Sequence, residues 1–173
     1  MSWKIDPAYS SIQFSVQAMN LNLVRGRFSC FTGHLDLDPG QMTAAQVRGE
    51  INVASIDTDH ETRDAHLLSV DFFDVEQFPT IGFRSTHVER LSLGQYRVCG
   101  DLTIKSITRP VTFDVVDHGR VHDPWGAYRW GFSAESAIKR QDFGLCWNIA
   151  LAAGGWVVGE RVKIKAEIQL IAG

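Results

Sequence analysis

The segment from His60 to His66 is dense in side chains that could bind a metal or move a proton. A zinc-binding helix presents two histidines one turn apart, with a glutamate directly after the first. Here Asp64 stands where the second histidine would be, and His66 follows His60 by six residues, on a different helical face. The spacing therefore favours a solvent-exposed helix with charge pairs, and no metal site is predicted.

Carboxylates near this segment could form an acid pair for general acid–base chemistry. Asp64, Asp71 and Asp74 are the candidates, but two of them flank Phe72 and Phe73, where aspartates commonly cap helices and form turns. The chain also lacks a nucleophile elbow, a phosphate-binding loop and a dinucleotide-binding fingerprint. No catalytic residue and no cofactor are therefore predicted.

Polar side chains in the rows predicted to face inward are few. They are Ser55, Ser85, His87 and Ser136. We expect them to make structural hydrogen bonds. An enzyme that acts on a small hydrophobic substrate stays the alternative, and it would need His87 or an interior serine beside the pocket.

Composition limits the class of protein. With 173 residues and 45% hydrophobic residues, the chain can form a single domain over residues 1–173. The net charge of −3 gives no argument for a nucleic-acid partner, and no apolar run is long enough for a membrane-spanning helix. Cys30, Cys99 and Cys146 are widely spaced, so we expect reduced packing residues. Since the N-terminus enters a strand pattern without an apolar signal region, we expect a cytoplasmic protein.

Alternation of apolar and polar residues along nearly the whole chain predicts an all-β protein with strands that bury one face. The predicted strands are Ser11 to Met19, Arg25 to Leu37, Gln46 to Ile56, Thr80 to Arg90, Gln95 to Lys105, Arg109 to His118, Arg129 to Ile138 and Arg161 to Leu170. The alternation changes parity between Cys30 and Phe31, which predicts a β-bulge. Capping residues and acids from Asp57 predict one short helix that ends at Leu68.

Eight antiparallel strands of this length predict a barrel, because closure removes the sheet edges. An eight-stranded barrel either fills with side chains or holds one small ligand. Small residues in the inward rows, Gly49, Gly100, Ala134 and Ala166, favour space for a ligand. The same residues could also fit the taper of a filled barrel, so both outcomes stay open at this point.

Several strings together resemble one family over essentially the whole chain. They include Ile5-Asp6-Pro7, Val24-Arg25-Gly26, Ser55-Ile56-Asp57-Thr58, Asp71-Phe72-Phe73-Asp74-Val75, Gly100-Asp101-Leu102-Thr103-Ile104, Thr108-Arg109-Pro110-Val111, Asp123-Pro124-Trp125-Gly126, Ile138 with Arg140, Asp142-Phe143-Gly144 and Trp147-Asn148. The sequence resembles the YceI-like family of lipid-binding proteins. This resemblance implies a lipocalin-like eight-stranded barrel, a homodimer and an apolar tunnel without enzymatic activity.

The ligand implied by the resemblance is a long-chain isoprenoid, such as an isoprenoid quinone, its precursor or a polyprenyl lipid. Fatty-acid or fatty-amide binding in the same tunnel is the alternative. The residues expected to line the tunnel are Phe14, Val16, Phe28, Ile51, Val53, Phe72, Phe73, Phe83, Val98, Gly100, Leu102, Phe113, Phe132, Ala134, Trp147 and Ile164.

The helix and Phe72-Phe73 follow the third predicted strand, so we expect them to lie over one opening, either as a lid or as a plug of the core. The candidates for contacts to a polar head group at this rim are Arg63, His66, Arg84 and Arg109.

Overall fold

The computed structural model describes residues 2–19, 21–149, 151 and 157–173. Within these residues, the strands of one antiparallel sheet are β1 (Ser2–Ile5), β2 (Ser11–Ala18), β3 (Asn22–Phe28), β4 (Phe31–Asp36), β5 (Gln46–Asn52), β6 (Ile56–Asp57), β7 (Thr80–Ser92), β8 (Gln95–Ile104), β9 (Ile107–His122), β10 (Tyr128–Lys139) and β11 (Val158–Ala172). The α-helix of the described chain is α1 (Glu61–Leu68), and short 3-10 turns span Pro7–Tyr9, Met42–Ala44, Val53–Ser55 and Arg140–Phe143.

The sheet closes through β1, which pairs with β4 on one side and with β11 on the other. Three walls of the barrel consist of two strands each, β1 with β2, β3 with β4, and β5 with β6. These three two-strand walls and the five strands β7 to β11 together form a closed eight-stranded antiparallel barrel. The fold class that the sequence predicts, a lipocalin-like barrel with one short helix, is confirmed.

The eight predicted strands correspond to β2 through β11. β1 lies in the N-terminal stretch that enters the strand pattern, but it was not among the predicted strands. The parity change after Cys30 coincides with the break between β3 and β4, where Ser29 and Cys30 are exposed between buried Phe28 and Phe31. The helix begins later than predicted. Asp57 still pairs with β3 as part of β6, and His60 caps α1 by accepting a hydrogen bond from the Arg63 amide.

Two apolar clusters fill the two ends of the barrel. At one end, Trp3, Trp130 and Leu170 are almost fully buried, and their cluster also contains Leu37 and Phe132. We call this the tryptophan end. The other end, the α1 end, packs Leu67, Leu68, Phe72 and Phe73 of the helical segment against Phe28 and its neighbours. The space between the clusters is the barrel interior.

A partly buried ion-pair network at the barrel surface fixes the N-terminal wall to the turn between β9 and β10. Arg129 donates hydrogen bonds to Asp6 at 2.7 Å, Asp123 at 2.8 Å and the Gln169 side chain at 3.0 Å. These bonds from Arg129 hold the pKa of both Asp6 and Asp123 below the ordinary value of 3.8. Both carboxylates therefore stabilise the fold in their charged form.

We expect this network to make the protein acid-sensitive. Because folding lowers the two carboxyl pKa values, their contribution is complete above about pH 5 and is lost as the pH falls below about 4. Urea unfolding at neutral and acid pH should therefore show a decrease in stability that is smaller in Arg129→Gln, and this variant should also be less stable than the wild type at neutral pH. Arg97→Gln, at the exposed pair with Asp114, is the control and should retain the decrease. An Arg129→Gln protein with the acid response of the wild type would contradict this assignment.

Candidate ligand-binding cavity

The barrel encloses a cavity of about 320 Å³ with an almost wholly apolar wall. This volume is at the lower end of the range for small-molecule pockets. Gln13, Thr32, Arg48 and Glu50 border it, but their side chains are exposed on the outer face, so they meet the cavity through backbone atoms. The interior is therefore an apolar lumen, and of the two outcomes left open by the sequence the filled barrel is wrong.

Most of the predicted lining residues border this cavity. They are Phe14, Val16, Phe28, Ile51, Phe72, Phe73, Phe83, Val98, Leu102, Phe113, Phe132, Ala134 and Ile164. Val53, Gly100 and Trp147 do not. Val53 follows the end of β5, where strand alternation stops, and is buried in the cluster of the α1 end. Trp147 lies behind Phe72, with ring centroids 5.4 Å apart.

Gly100 has a different role from the one predicted. A methyl group at Gly100 would overlap the ring of Phe83 and would come within 2.6 Å of the Arg84 carbonyl. Phe14 lies over Gly26 in the same way, directly across from it in the register of β2 and β3. Because each ring occupies the place of the missing side chain, it lies flat against the wall. These two glycines therefore keep the lumen open indirectly, by seating aromatic rings.

Small residues at the cavity surface do leave space. Ala134 and Ala166 are paired across β10 and β11, and both border the cavity. Gly49 borders it on the other side, and a methyl group there would have the Thr32 carbonyl at 3.6 Å as its nearest neighbour. Larger side chains at these positions would enter the lumen.

The α1 end covers the cavity with apolar side chains. Leu67, Phe72 and Phe73 border the lumen, and Phe72 is only 6% exposed. His66 packs edge-on against Trp147, with ring centroids 4.6 Å apart. The helical segment and the 145–147 loop thus form one cover, which a ligand entering at this end would have to displace.

The predicted head-group residues do not converge, and none borders the cavity. Arg63 donates hydrogen bonds to the hydroxyl and the carbonyl of Thr58, and His66 pairs with Asp71 at 2.9 Å. These contacts are local to the helical segment. The other two residues lie on the outer surface. Arg84 is exposed on β7, and exposed Arg109 donates to the Asp142 carbonyl on the outer wall.

A buried arginine that was not predicted as a site residue lies beside the cavity. Arg140 is 3% exposed and donates hydrogen bonds to the carbonyls of Gly159, Leu145, Trp147 and Val158. Burial lowers the pKa of this guanidinium, and the nearby Cys146 and Glu160 counteract part of that effect. Arg140 thereby fixes the loop of the cover to the start of β11. The signal available in the sequence was the pair of Ile138 and Arg140, which belongs to the family resemblance.

None of the polar residues considered for catalysis borders the cavity. Ser85 accepts a hydrogen bond from the Val47 amide, Ser136 donates to the Thr112 carbonyl, and Ser55 donates to the Asn52 carbonyl. His87 was assigned to an inward row, which is wrong. A register shift between Ser85 and His87 turns the histidine outward and buries Val88 instead.

Across the described ranges, no group of three or more histidine, cysteine or acidic side chains is placed to hold a metal ion. Among the same residues, no helix has the length and apolar character needed to cross a membrane.

Comparison with known proteins gives the family. The model of the YceI-like domain matches residues 3–170. The chain belongs to the YceI-like family. The family resemblance seen in the sequence is thus confirmed. Two similar relatives are UPF0312 proteins, from Serratia proteamaculans (38% identical, covering 87% of this chain and 79% of the relative) and from Shewanella denitrificans (37% identical, covering 84% and 76%).

Solved structures of similar fold include BcnA from Burkholderia cenocepacia. Its TM-score is 0.81 at 24% identity, covering 95% of this chain and 98% of BcnA. A structure described as a polyisoprenoid binding domain from Saccharophagus degradans has a TM-score of 0.71 at 14% identity, covering 99% and 98%. At these identities the likeness shows that this YceI-like chain shares their fold.

The role of Gly100 gives a prediction with a matched control. Gly100→Ala should destabilise the protein by about 1–3 kcal/mol, because the methyl group forces the Phe83 ring into the lumen or strains the wall. Gly82, on the neighbouring strand β7, has nothing within 4 Å of an added methyl group. Gly82→Ala should therefore leave stability unchanged or raise it by up to about 1 kcal/mol. Urea unfolding measures both, and equal stability of the two variants would contradict the seating of Phe83 on Gly100.

Proposed function

We propose that the protein binds the tail of a long-chain isoprenoid lipid in the barrel cavity and stores or transports it without chemical conversion. An isoprenoid quinone, its precursor or a polyprenyl lipid is the proposed ligand. The observation that carries the proposal is the closed barrel around a cavity whose wall is almost wholly apolar. The description of the Saccharophagus degradans relative as a polyisoprenoid binding domain supports the choice of ligand class.

The driving force for binding is burial of the tail. Each buried methylene contributes about 0.8 kcal/mol, so a dozen carbons supply roughly 10 kcal/mol before the entropic costs of association. Since the predicted basic residues do not converge on the cavity, the proposal assigns affinity to the tail and leaves the head group at the α1 end. That end is covered by α1 and Phe72, which we propose as the movable lid.

A binding role without catalysis is supported by the placement of the polar candidates. Ser85 and Ser136 are engaged with backbone groups, and His87 is on the outer face. An apolar wall also offers little that would polarise a bond in a bound lipid.

We also propose that this carrier works in the cytoplasm as a homodimer. Support for the compartment comes from the cysteines, since Cys30, Cys99 and Cys146 are free and an odd set suits a reducing environment. The dimer rests on the family resemblance of the sequence, and sedimentation analysis of the purified protein would test it.

Ala134 provides the direct test of the cavity as the ligand site. Ala134→Leu should reduce loading with a polyprenol severalfold, because the larger side chain occupies the lumen between β10 and β11. It should change the stability of the lipid-free protein by less than about 1 kcal/mol, since it enters existing space. Ala137→Leu, at an exposed position on the same strand, is the control and should load normally. Unchanged loading of a stable Ala134→Leu protein would overturn the proposed site.

A further inference from the structure

We propose that the α1 end of the barrel docks on an anionic lipid bilayer through an exposed apolar tip beside a row of cations. The apolar tip consists of Met19, Leu21, Leu23 and Ile149, with exposed fractions of 48%, 83%, 42% and 55%. Exposed apolar side chains that cluster on a protein surface often mark contact with another apolar phase. The proposal rests on the proposed function for its purpose, because an isoprenoid tail resides in bilayers when it is not bound by protein.

Backbone hydrogen bonds bring the members of the tip together. The turn after β2 closes with the Leu21 amide donating to the Ala18 carbonyl at 3.1 Å. The Met19 amide donates to the Val157 carbonyl at 2.8 Å, and the Val157 amide donates to the Ile149 carbonyl at 3.0 Å. The β2–β3 hairpin and Ile149 therefore lie side by side at one end of the barrel.

The cation row lies on the outer wall directly beside the tip. It consists of Arg25, Lys139, Arg161 and Lys163, all exposed. Ser15 on β2 pairs with both Arg25 and Lys163, and Lys139 pairs with Arg161, so the row crosses four neighbouring strands. In the part of the chain that the structure describes, none of these four makes a salt bridge, whereas neighbouring Arg27 pairs with Asp57 at 2.8 Å.

The tip and the row form one continuous surface. Leu23, Arg161 and Lys163 border the same depression of the outer wall, together with one acid, Glu160. The outer wall around the row carries eight basic and five acidic side chains, so this side of a chain of net charge −3 has a local excess of positive charge. Its complement is a surface that is negatively charged and has an apolar interior within reach of the leucines.

An anionic bilayer fits this description better than a second copy of the chain. In a two-fold dimer each copy would present the same unpaired cations at the interface, which is repulsive. At an anionic bilayer, each lysine or arginine near the surface contributes about fivefold to binding, and inserted leucines add to it. Docking at this end also places the cover of the cavity at the membrane, since Val158, next to Val157 of the tip contact, borders the lumen.

Vesicle co-sedimentation of the purified full-length protein tests the proposal. Vesicles of phosphatidylcholine mixed with phosphatidylglycerol should bind the wild type, vesicles of phosphatidylcholine alone should bind it much more weakly, and added salt should release it. The double variant Arg161→Gln with Lys163→Gln should lose about fivefold for each cation removed. Leu21→Asp should lose about tenfold or more, because it removes an inserted leucine and adds a repelled charge.

Matched controls separate the tip from general surface effects. Arg48→Gln with Arg84→Gln removes two exposed, cross-strand cations on the other side of the barrel. Leu93→Asp changes a leucine that is 87% exposed at the β7–β8 turn. Both controls should bind vesicles like the wild type. Equal losses in the control and tip variants, or no binding of the wild type to anionic vesicles, would overturn the proposal.

Two further measurements on the same variants keep the outcomes distinct. Polyprenol loading from detergent should be normal in the tip variants, so a failure of docking is distinguishable from a failure of ligand binding. Sedimentation analysis shows whether the tip holds two copies together. If Leu21→Asp converts a dimer to a monomer and leaves vesicle binding unchanged, the surface is an interface between copies and the membrane assignment is wrong.

Discussion

The lumen depends on the closure of the sheet by a strand of four residues. β1 pairs with β4 and with β11, and its Trp3 is 1% exposed in the cluster of the tryptophan end. Without β1 the walls β4 and β11 would present unpaired edges near that end. The ion pair from Arg129 to Asp6 fixes the chain directly after β1, so electrostatics at the surface support a closure on which the apolar interior relies.

A closed barrel could still fill with side chains. Two features of its wall keep the interior open. Rings of Phe14 and Phe83 lie over Gly26 and Gly100, so that bulky residues cover the wall without reaching the centre. The pair Ala134 and Ala166 then leaves the space that most core positions would fill. A cavity of this kind weakens the core by removing contacts, and the burial of an apolar tail would restore them.

Much of the fold could be predicted because strands that bury one face show an alternation of apolar and polar residues in the sequence. The alternation indicated the strands from β2 to β11, and it failed where the register shifts, as at His87. β1 was not predicted as a separate strand, although the pattern begins there, because four residues are too few to distinguish a strand from a loop. Gly100 was misread because no sequence pattern tells which ring from the next strand occupies the place of an absent side chain.

The polar part of the site was the least predictable. Surface arginines such as Arg84 and Arg109 look alike in a sequence whether they converge or not. Arg140 was missed because a buried arginine that donates to backbone carbonyls has no acidic partner to indicate it. The proposed site therefore rests on apolar contacts, and most of the predicted lining residues border the cavity.

The central claim is that the tail of the ligand lies inside the barrel. Intermolecular nuclear Overhauser effects between a bound polyprenol and labelled methyl groups test it most directly. The account predicts contacts from Val98, Leu102 and Ile164, which border the lumen, and none from Leu93 and Val121, which are exposed outside it. A bound polyprenol that contacts the exposed methyl groups and leaves those of the lumen unaffected would contradict the claim.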